Sequence, residues 1–188
     1  MTTPLTHQDE PRVEKLFNVC TGHLAATASE SAQGAKADMK QQKRSYRVLE
    51  ELFSSPNEAC QNFMARNIKS IQDTFLQALS KASPSSQAYR LKCLVHIVRN
   101  LREDQSDFVH AVVPEAVLCI KATNEKARNS SYTLLVVIGE ALQRWSSSSG
   151  QALIVVGKDI FVQICCHAED LASPLVDFCL QCALTKMI

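Results

Sequence analysis

Glycine and proline are scarce in this chain, five and six in 188 residues. These two residues punctuate helices most strongly, so their scarcity leaves room for long helices and little for the turn-rich connections of a sandwich or barrel. A charge excess of either sign is missing too. Twenty Lys and Arg stand against 19 Asp and Glu, a formal net charge of +1. That excludes a chain built throughout as a basic nucleic-acid sleeve and leaves local patches to meet any charged partner. The longest apolar stretch, 152–166, is interrupted by Lys158 and Asp159 and is too short for a bilayer span. The first residues lack the charged-then-apolar pattern of a secretory signal, so the expectation is a soluble, intracellular protein with no membrane partner. Catalytic motifs are missing as well: there is no Gly-x-Gly, no Gly-x-Ser-x-Gly, no phosphate loop and no His-Glu-x-x-His. His7, His23, His96, His110 and His167 show no recurring spacing to a carboxylate or thiol. The sequence therefore points away from an enzyme, a cofactor or a small-molecule substrate.

What is present is a globular balance, 46% hydrophobic and 21% charged residues, together with an internal repeat. Tyr46, Tyr89 and Tyr132 are the only tyrosines and stand 43 residues apart. Each leads an apolar stripe: the second residue after it is Val48, Leu91 or Leu134, and the sixth is Leu52, Val95 or Ile138. A period of roughly 40–47 residues carrying two or three helices is that of the HEAT and armadillo solenoids, in which each unit buries its apolar face by stacking on its neighbours. The expected fold is all-α, an α-solenoid of HEAT or armadillo type with about four helix pairs.

Helix signals recur along the chain. Thr6 with Asp9 three positions on reads as a capping box opening a weaker segment to about Ser31. A second helix spans Ala35 to Phe53, with Tyr46, Leu49, Leu52 and Phe53 inward. Ser55-Pro56-Asn57-Glu58 reads as the next start, with Ser55 as cap and Pro56 at the first helical position. Met64, Ile68, Ile71, Phe75, Ala78 and Leu79 then follow at spacings of three and four, the stripe of one buried helical face. Ser83-Pro84 ends that helix, and a fourth carries Leu91, Leu94, Val95, Val98 and Leu101. In the fifth, Pro114 predicts a kink or a fresh start at Val113. The sixth runs from about Asn124 to Trp145, with Leu134, Leu135, Ile138, Ala141, Leu142 and Trp145 inward. Beyond the small-residue linker 146–150, two more segments would supply a further pair, although β-branched residues within 152–166 also raise strand propensity. The organisation expected is an N-terminal helical segment over 1–34, HEAT-like repeats over 35–146, and a further helix pair or truncated tail over 147–188.

The third repeat also carries a family likeness. Pro114-Glu115-Ala116-Val117-Leu118-Cys119-Ile120-Lys121, then Asn124-Glu125-Lys126-Ala127-Arg128 and Leu134-Leu135-Val136-Val137-Ile138-Gly139, resembles the central HEAT-repeat domain of the ribosomal RNA processing protein twelve-like family. Arg90 to Val98 and Tyr46 to Leu52 fit the same domain in the same order, so the resemblance covers roughly residues 38–146. It implies a non-enzymatic nucleolar scaffold in ribosome biogenesis, in the nucleus, which binds pre-ribosomal particles during rRNA processing of the small subunit and nuclear export of ribosomal subunits. Pre-ribosomal particles, assembly factors, pre-rRNA and transport factors are the partners it suggests. Members of that family are several times longer, so a fragment or truncated product is expected. The competing reading is a karyopherin-like or generic protein–protein adaptor without RNA contact.

Two groups of residues are candidates for binding. Lys36, Lys40, Lys43, Arg44 and Arg47 load the second helix with positive charge, Arg90 occupies the repeat column of Arg47, and Lys121, Lys126 and Arg128 sit at the turn into the sixth helix. Stacked units would align these as a stripe for RNA phosphates or acidic protein segments; a solvated helix face is the plainer explanation. Cys179-x-x-Cys182 has the spacing of half a zinc site, with Cys165, Cys166 and His167 able to complete it. Positions three apart also share one helix face, so buried thiols account for the same spacing. Cys60, Cys93, Cys119 and Cys165 lie among apolar residues and are expected to pack as small hydrophobes in a reducing compartment.

Overall fold

In the computed structural model of the protein, residues 10–24, 32–79 and 81–149 are described. They form six α-helices: α1 Glu10–Thr21, α2 Ala32–Ser54, α3 Glu58–Gln77, α4 Gln87–Arg99, α5 Ser106–Ile120 and α6 Glu125–Ser149, with one 3₁₀ turn at Glu103–Gln105 before α5. The described residues contain no strand, as the all-α expectation required. The capping box at Thr6 and Asp9, the segments beyond 150 with their strand alternative, and the cysteines at 165, 166, 179 and 182 lie outside the described residues.

The helices pack in two rows. α2, α4 and α6 follow one another in the first, and α1, α3 and α5 in the second, while α1 meets α2 and α5 meets α6 across the layer. The apolar stripes read from sequence face inward between the rows. Tyr46, Leu49, Leu52 and Phe53 of α2 are buried with Ile71 and Phe75 of α3, Leu91, Leu94 and Val98 of α4, Val112 and Ala116 of α5, and Leu134, Ile138 and Leu142 of α6. Edge and tilted ring contacts join Phe17 to Phe63, Tyr46 to Phe75 and Phe53 to Phe75 at centroid separations of 5.2, 6.1 and 6.0 Å, the favoured geometry for aromatic quadrupoles.

The repeat register differs from the tyrosine spacing by one residue. Arg90, Cys93 and Ile97 are buried, yet Thr133, Val136 and Glu140, 43 positions on, are exposed. The buried set is Leu134, Val137 and Ala141, 44 positions on, and the same shift takes Ser86 to Ser130, Leu94 to Ile138 and Leu101 to Trp145, all buried. One residue rotates a helical position by about 100°, enough to move it from solvent into the core.

Two starts also differ from expectation. Asn57 caps α3, its side chain accepting from the Ala59 N–H at 2.8 Å, while Ser55 Oγ accepts from the Asn57 N–H at 3.2 Å and Pro56 precedes the helix. Asparagine caps as well as serine, and Glu58 then lies in the first turn, where a carboxylate suits the helix dipole. α5 passes through Pro114 without a fresh start at Val113. Val112, Val113, Ala116 and Val117 are buried on either side of it, and that packing offsets the roughly 3 kcal/mol an interior proline costs.

The connections are tied to α2 by one buried amide that the sequence did not flag. Gln42 Nε2 donates to the Leu24 carbonyl at 3.1 Å and the Lys81 carbonyl at 2.9 Å, and Gln42 Oε1 accepts from the Ser83 N–H at 2.9 Å. Polar groups taken from water need such partners. Here they fix the α3–α4 connection, and Leu24 ahead of α2, against the middle of α2.

Candidate nucleic-acid interface

The basic residues of α2 share one face. Lys36, Lys40, Lys43, Arg44 and Arg47 fall within about 100° of one another at helical pitch. All five are exposed, on the side opposite Gln42, Ser45, Tyr46, Leu49 and Phe53, which face the core. Arg47 Nε pairs with Glu51 at 3.1 Å, one turn on, with both side chains well exposed; such a pair contributes little and exchanges readily with an incoming anion.

Arg90 belongs to a different environment, and its place in the surface column is corrected. Its side chain is fully buried. Nε and Nη2 donate to the two oxygens of Glu115 on α5 at 2.6 and 2.9 Å, Nη1 donates to the Tyr46 hydroxyl at 3.1 Å, and Nη2 also donates to the Phe75 carbonyl at 3.0 Å. The guanidinium carbon lies 5.5 Å from the Phe75 ring centroid and 5.9 Å from that of Tyr46. Burial alone would pull this guanidinium down, but its hydrogen bonding to Glu115 and the interactions with Tyr46 more than reverse it, and its pKa is raised. The physical reason is the register: 44 positions before Arg90 is Tyr46, on the inner face of α2, whereas Arg47 is one residue further round.

The three remaining candidates divide. Arg128 Nη1 donates to the Ala122 and Thr123 carbonyls at 2.8 and 3.0 Å, closing the turn between α5 and α6. Lys121 is the exposed C-cap of α5, where a cation suits the dipole. Lys126 stands in the first turn of α6 and lines a depression of about 570 Å³ that crosses the outer face of the first row.

Apart from Lys126, that depression brings together residues that the sequence did not mark as binding candidates. Tyr89, Lys92, His96 and Arg99 line it from α4, Asn129 and Thr133 join Lys126 from α6, and Glu50 closes it from α2. Lys92 Nζ lies 3.9 Å from Glu50 Oε1 and 5.9 Å from the Tyr89 ring centroid. Lys43 and Arg47 precede Glu50 by two turns and one turn along the same side of α2, so the basic stripe runs into the depression's edge. The half-buried His96 is held below the ordinary imidazole pKa, first by burial and then by the Arg99 charge, with Glu50 opposing and Lys92 adding to the fall. The available signal was the spacing of Lys92, His96 and Arg99 at four and three residues, one helical face of α4.

The described residues hold no group of three or more His, Cys, Asp or Glu able to bind a metal ion, and no described helix is long and apolar enough to cross a membrane. Cys20, Cys93 and Cys119 are buried free thiols and Cys60 is half-buried. Burial raises the Cys119 thiol to about 11, with the Glu115 charge adding to the rise and Arg90 opposing it. Cys93 and Cys119 pack as small apolar groups, as expected, and so does Cys20; Cys93 Sγ also donates to the Tyr46 carbonyl at 3.4 Å.

No family model matches the chain. It is similar to the RRP12-like protein of Homo sapiens, 34% identical over 145 residues that make up 77% of this chain and 10% of that protein. The RRP12-like protein of Gallus gallus is 36% identical over 70% of this chain and 10% of its own length. The Ribosomal RNA-processing protein 12 of Saccharomyces cerevisiae is 31% identical over 56% of this chain and 8% of its own length. The chain thus spans about a tenth of the length of the curated relatives it matches.

Proposed function

The chain belongs to the RRP12-like protein family, and on that premise we propose that it is a non-enzymatic scaffold segment in ribosome biogenesis, acting in ribosomal RNA processing. The observation that carries the reading is the alignment over 77% of the chain to the human relative, together with the yeast relative's name as a ribosomal RNA-processing protein. Binding of pre-ribosomal particles and their assembly factors, residence in the nucleus and nucleolus, and a part in export of the subunits belong to the same proposal.

We further read the two rows of helices as successive units of a HEAT or armadillo-type α-solenoid. The row order of α2, α4, α6 and α1, α3, α5 and the 44-residue burial register support this. In such an arrangement, function is surface presentation. The outer face of the first row carries Lys36, Lys40, Lys43, Arg44 and Arg47 on α2, Lys92 and Arg99 on α4 and Lys126 on α6. Several weak phosphate contacts made together then give useful affinity.

Affinity capture of the full chain from cells tests the reading. Small-subunit precursor RNA and assembly factors are expected in the eluate above a tag-only control. An eluate holding transport receptors without precursor RNA supports the adaptor alternative, and one lacking both the RNA and the assembly factors overturns the proposal.

A further inference from the structure

We propose that the depression between α2, α4 and α6 is a site for one unpaired nucleotide of single-stranded RNA. Lys92, Arg99 and Lys126 would face its phosphates, and Glu50 and Asn129 would face the polar edge of its base. This rests on the RNA-processing reading and deepens it by naming what the surface recognises and where.

The size and composition of the site carry the argument. A volume of about 570 Å³ lies in the range of sites that enclose small organic groups, roughly 300–1,000 Å³. Tyr89, Lys92, His96 and Arg99 come from one face of α4, and Lys126 and Asn129 from one face of α6, so the groups sit on rigid helices and not on loops. Three cations border the depression against one carboxylate, Glu50.

The carboxylate sets a second requirement beside the positive charge. Glu50 accepts hydrogen bonds and donates none, so an occupant needs a donor for it beside an anionic group for the cations. A nucleotide carries both kinds of group, a phosphate that seeks the lysines and a base edge with N–H donors that seeks Glu50 and Asn129. Single strands can splay such a base out. A-form duplexes keep their bases paired, so the Watson–Crick edge that Glu50 and Asn129 would face is already occupied.

Fluorescence anisotropy with the full chain and a short labelled single-stranded RNA of mixed sequence tests this, with a duplex of the same strand and a poly-glutamate peptide as competitors. Lys92→Gln/Lys126→Gln should flatten the log–log salt slope by about 0.7 for each lost phosphate contact. Glu50→Gln should leave that slope in place and change the preference among homopolymeric RNAs. Both variants should keep the helical circular dichroism of the parent. Competition by poly-glutamate as effective as by single-stranded RNA, or equal affinity for duplex and single strand, overturns the proposal in favour of an unselective anion surface. So does an unchanged slope in the double variant. If Lys40→Gln/Lys43→Gln/Arg44→Gln/Arg47→Gln loses slope while the groove variant does not, the α2 stripe remains as the RNA contact and only the groove assignment falls. Absence of RNA binding by the parent chain overturns the groove assignment, whereas recovery of precursor particles from cells judges the scaffold reading separately.

Discussion

Removal of the Glu115 carboxylate should destabilise this fold far more than loss of any surface ion pair. Arg90 is fully buried and Glu115 is 10% exposed. In Glu115→Ala, the Nε hydrogen and one Nη2 hydrogen lose acceptors now at 2.6 and 2.9 Å, and a full positive charge stays inside without a counter-charge. Breaking a buried pair by removing one partner costs about 3–5 kcal/mol. The Tyr46 hydroxyl, the Phe75 carbonyl and two ring faces continue to hold the guanidinium, so the lower end applies, about 3 kcal/mol. For a body of this size that lowers Tm by roughly 6–12 °C. Urea unfolding followed by circular dichroism measures it, with an unchanged m-value showing that the same surface unfolds. Replacing both partners by apolar groups, Arg90→Met/Glu115→Leu, should recover most of the loss, because the costly state is the unpaired charge and not the missing bridge. Lys92→Ala, which breaks the half-exposed contact with Glu50, should cost less than about 1 kcal/mol. A Glu115→Ala loss as small as that of Lys92→Ala would refute the reasoning and mean that water reaches Arg90.

Further outcomes follow from other parts of the structure. Ile138→Ala, at a fully buried position of α6, should cost about 2–5 kcal/mol, and hydrogen exchange should speed up in α4, which packs on α6; protection unchanged outside α6 would count against stacking. Changing Lys40, Lys43, Arg44 and Arg47 to Gln should flatten the salt dependence of RNA binding while moving Tm little, since all four are exposed. His96 has a folded pKa below its unfolded value of about 6.5, so the unfolded state binds more protons between the two. Its contribution to stability is fully present above pH 6.5 and is lost as pH falls through the folded pKa. His96→Gln should therefore flatten the pH dependence of urea midpoints below about pH 6.5, and an identical profile would rule the effect out. Site-resolved alkylation near neutral pH should modify Cys60 well before Cys93 and Cys119, which are buried and have raised pKa values.

The helices were legible because their signal is local. Spacings of three and four among Met64, Ile71 and Phe75, or Leu134, Ile138 and Leu142, fix both the helix and the face it buries without knowledge of what lies opposite. The basic face of α2 was legible for the same reason, since every member lies on one helix. The tyrosine spacing marked apolar faces on α2, α4 and α6 in a register one residue short of the buried one, because a recurrent residue type need not keep the same depth: Tyr46 is fully buried while Tyr89 and Tyr132 are half-buried.

Only the tertiary structure decided what each charge does. Arg47 and Arg90 are both arginines following a tyrosine, yet one faces water and the other is enclosed by Tyr46, Phe75 and Glu115, which lie 44, 15 and 25 residues away. The same holds for Gln42, whose partners Lys81 and Ser83 are about forty residues distant, and for the groove, which needs α2, α4 and α6 side by side before Glu50, Lys92 and Lys126 can share it. Periodicity reports which side of a helix avoids water. Burial of a charge depends on a partner reaching it in space, and no spacing along one helix carries that information.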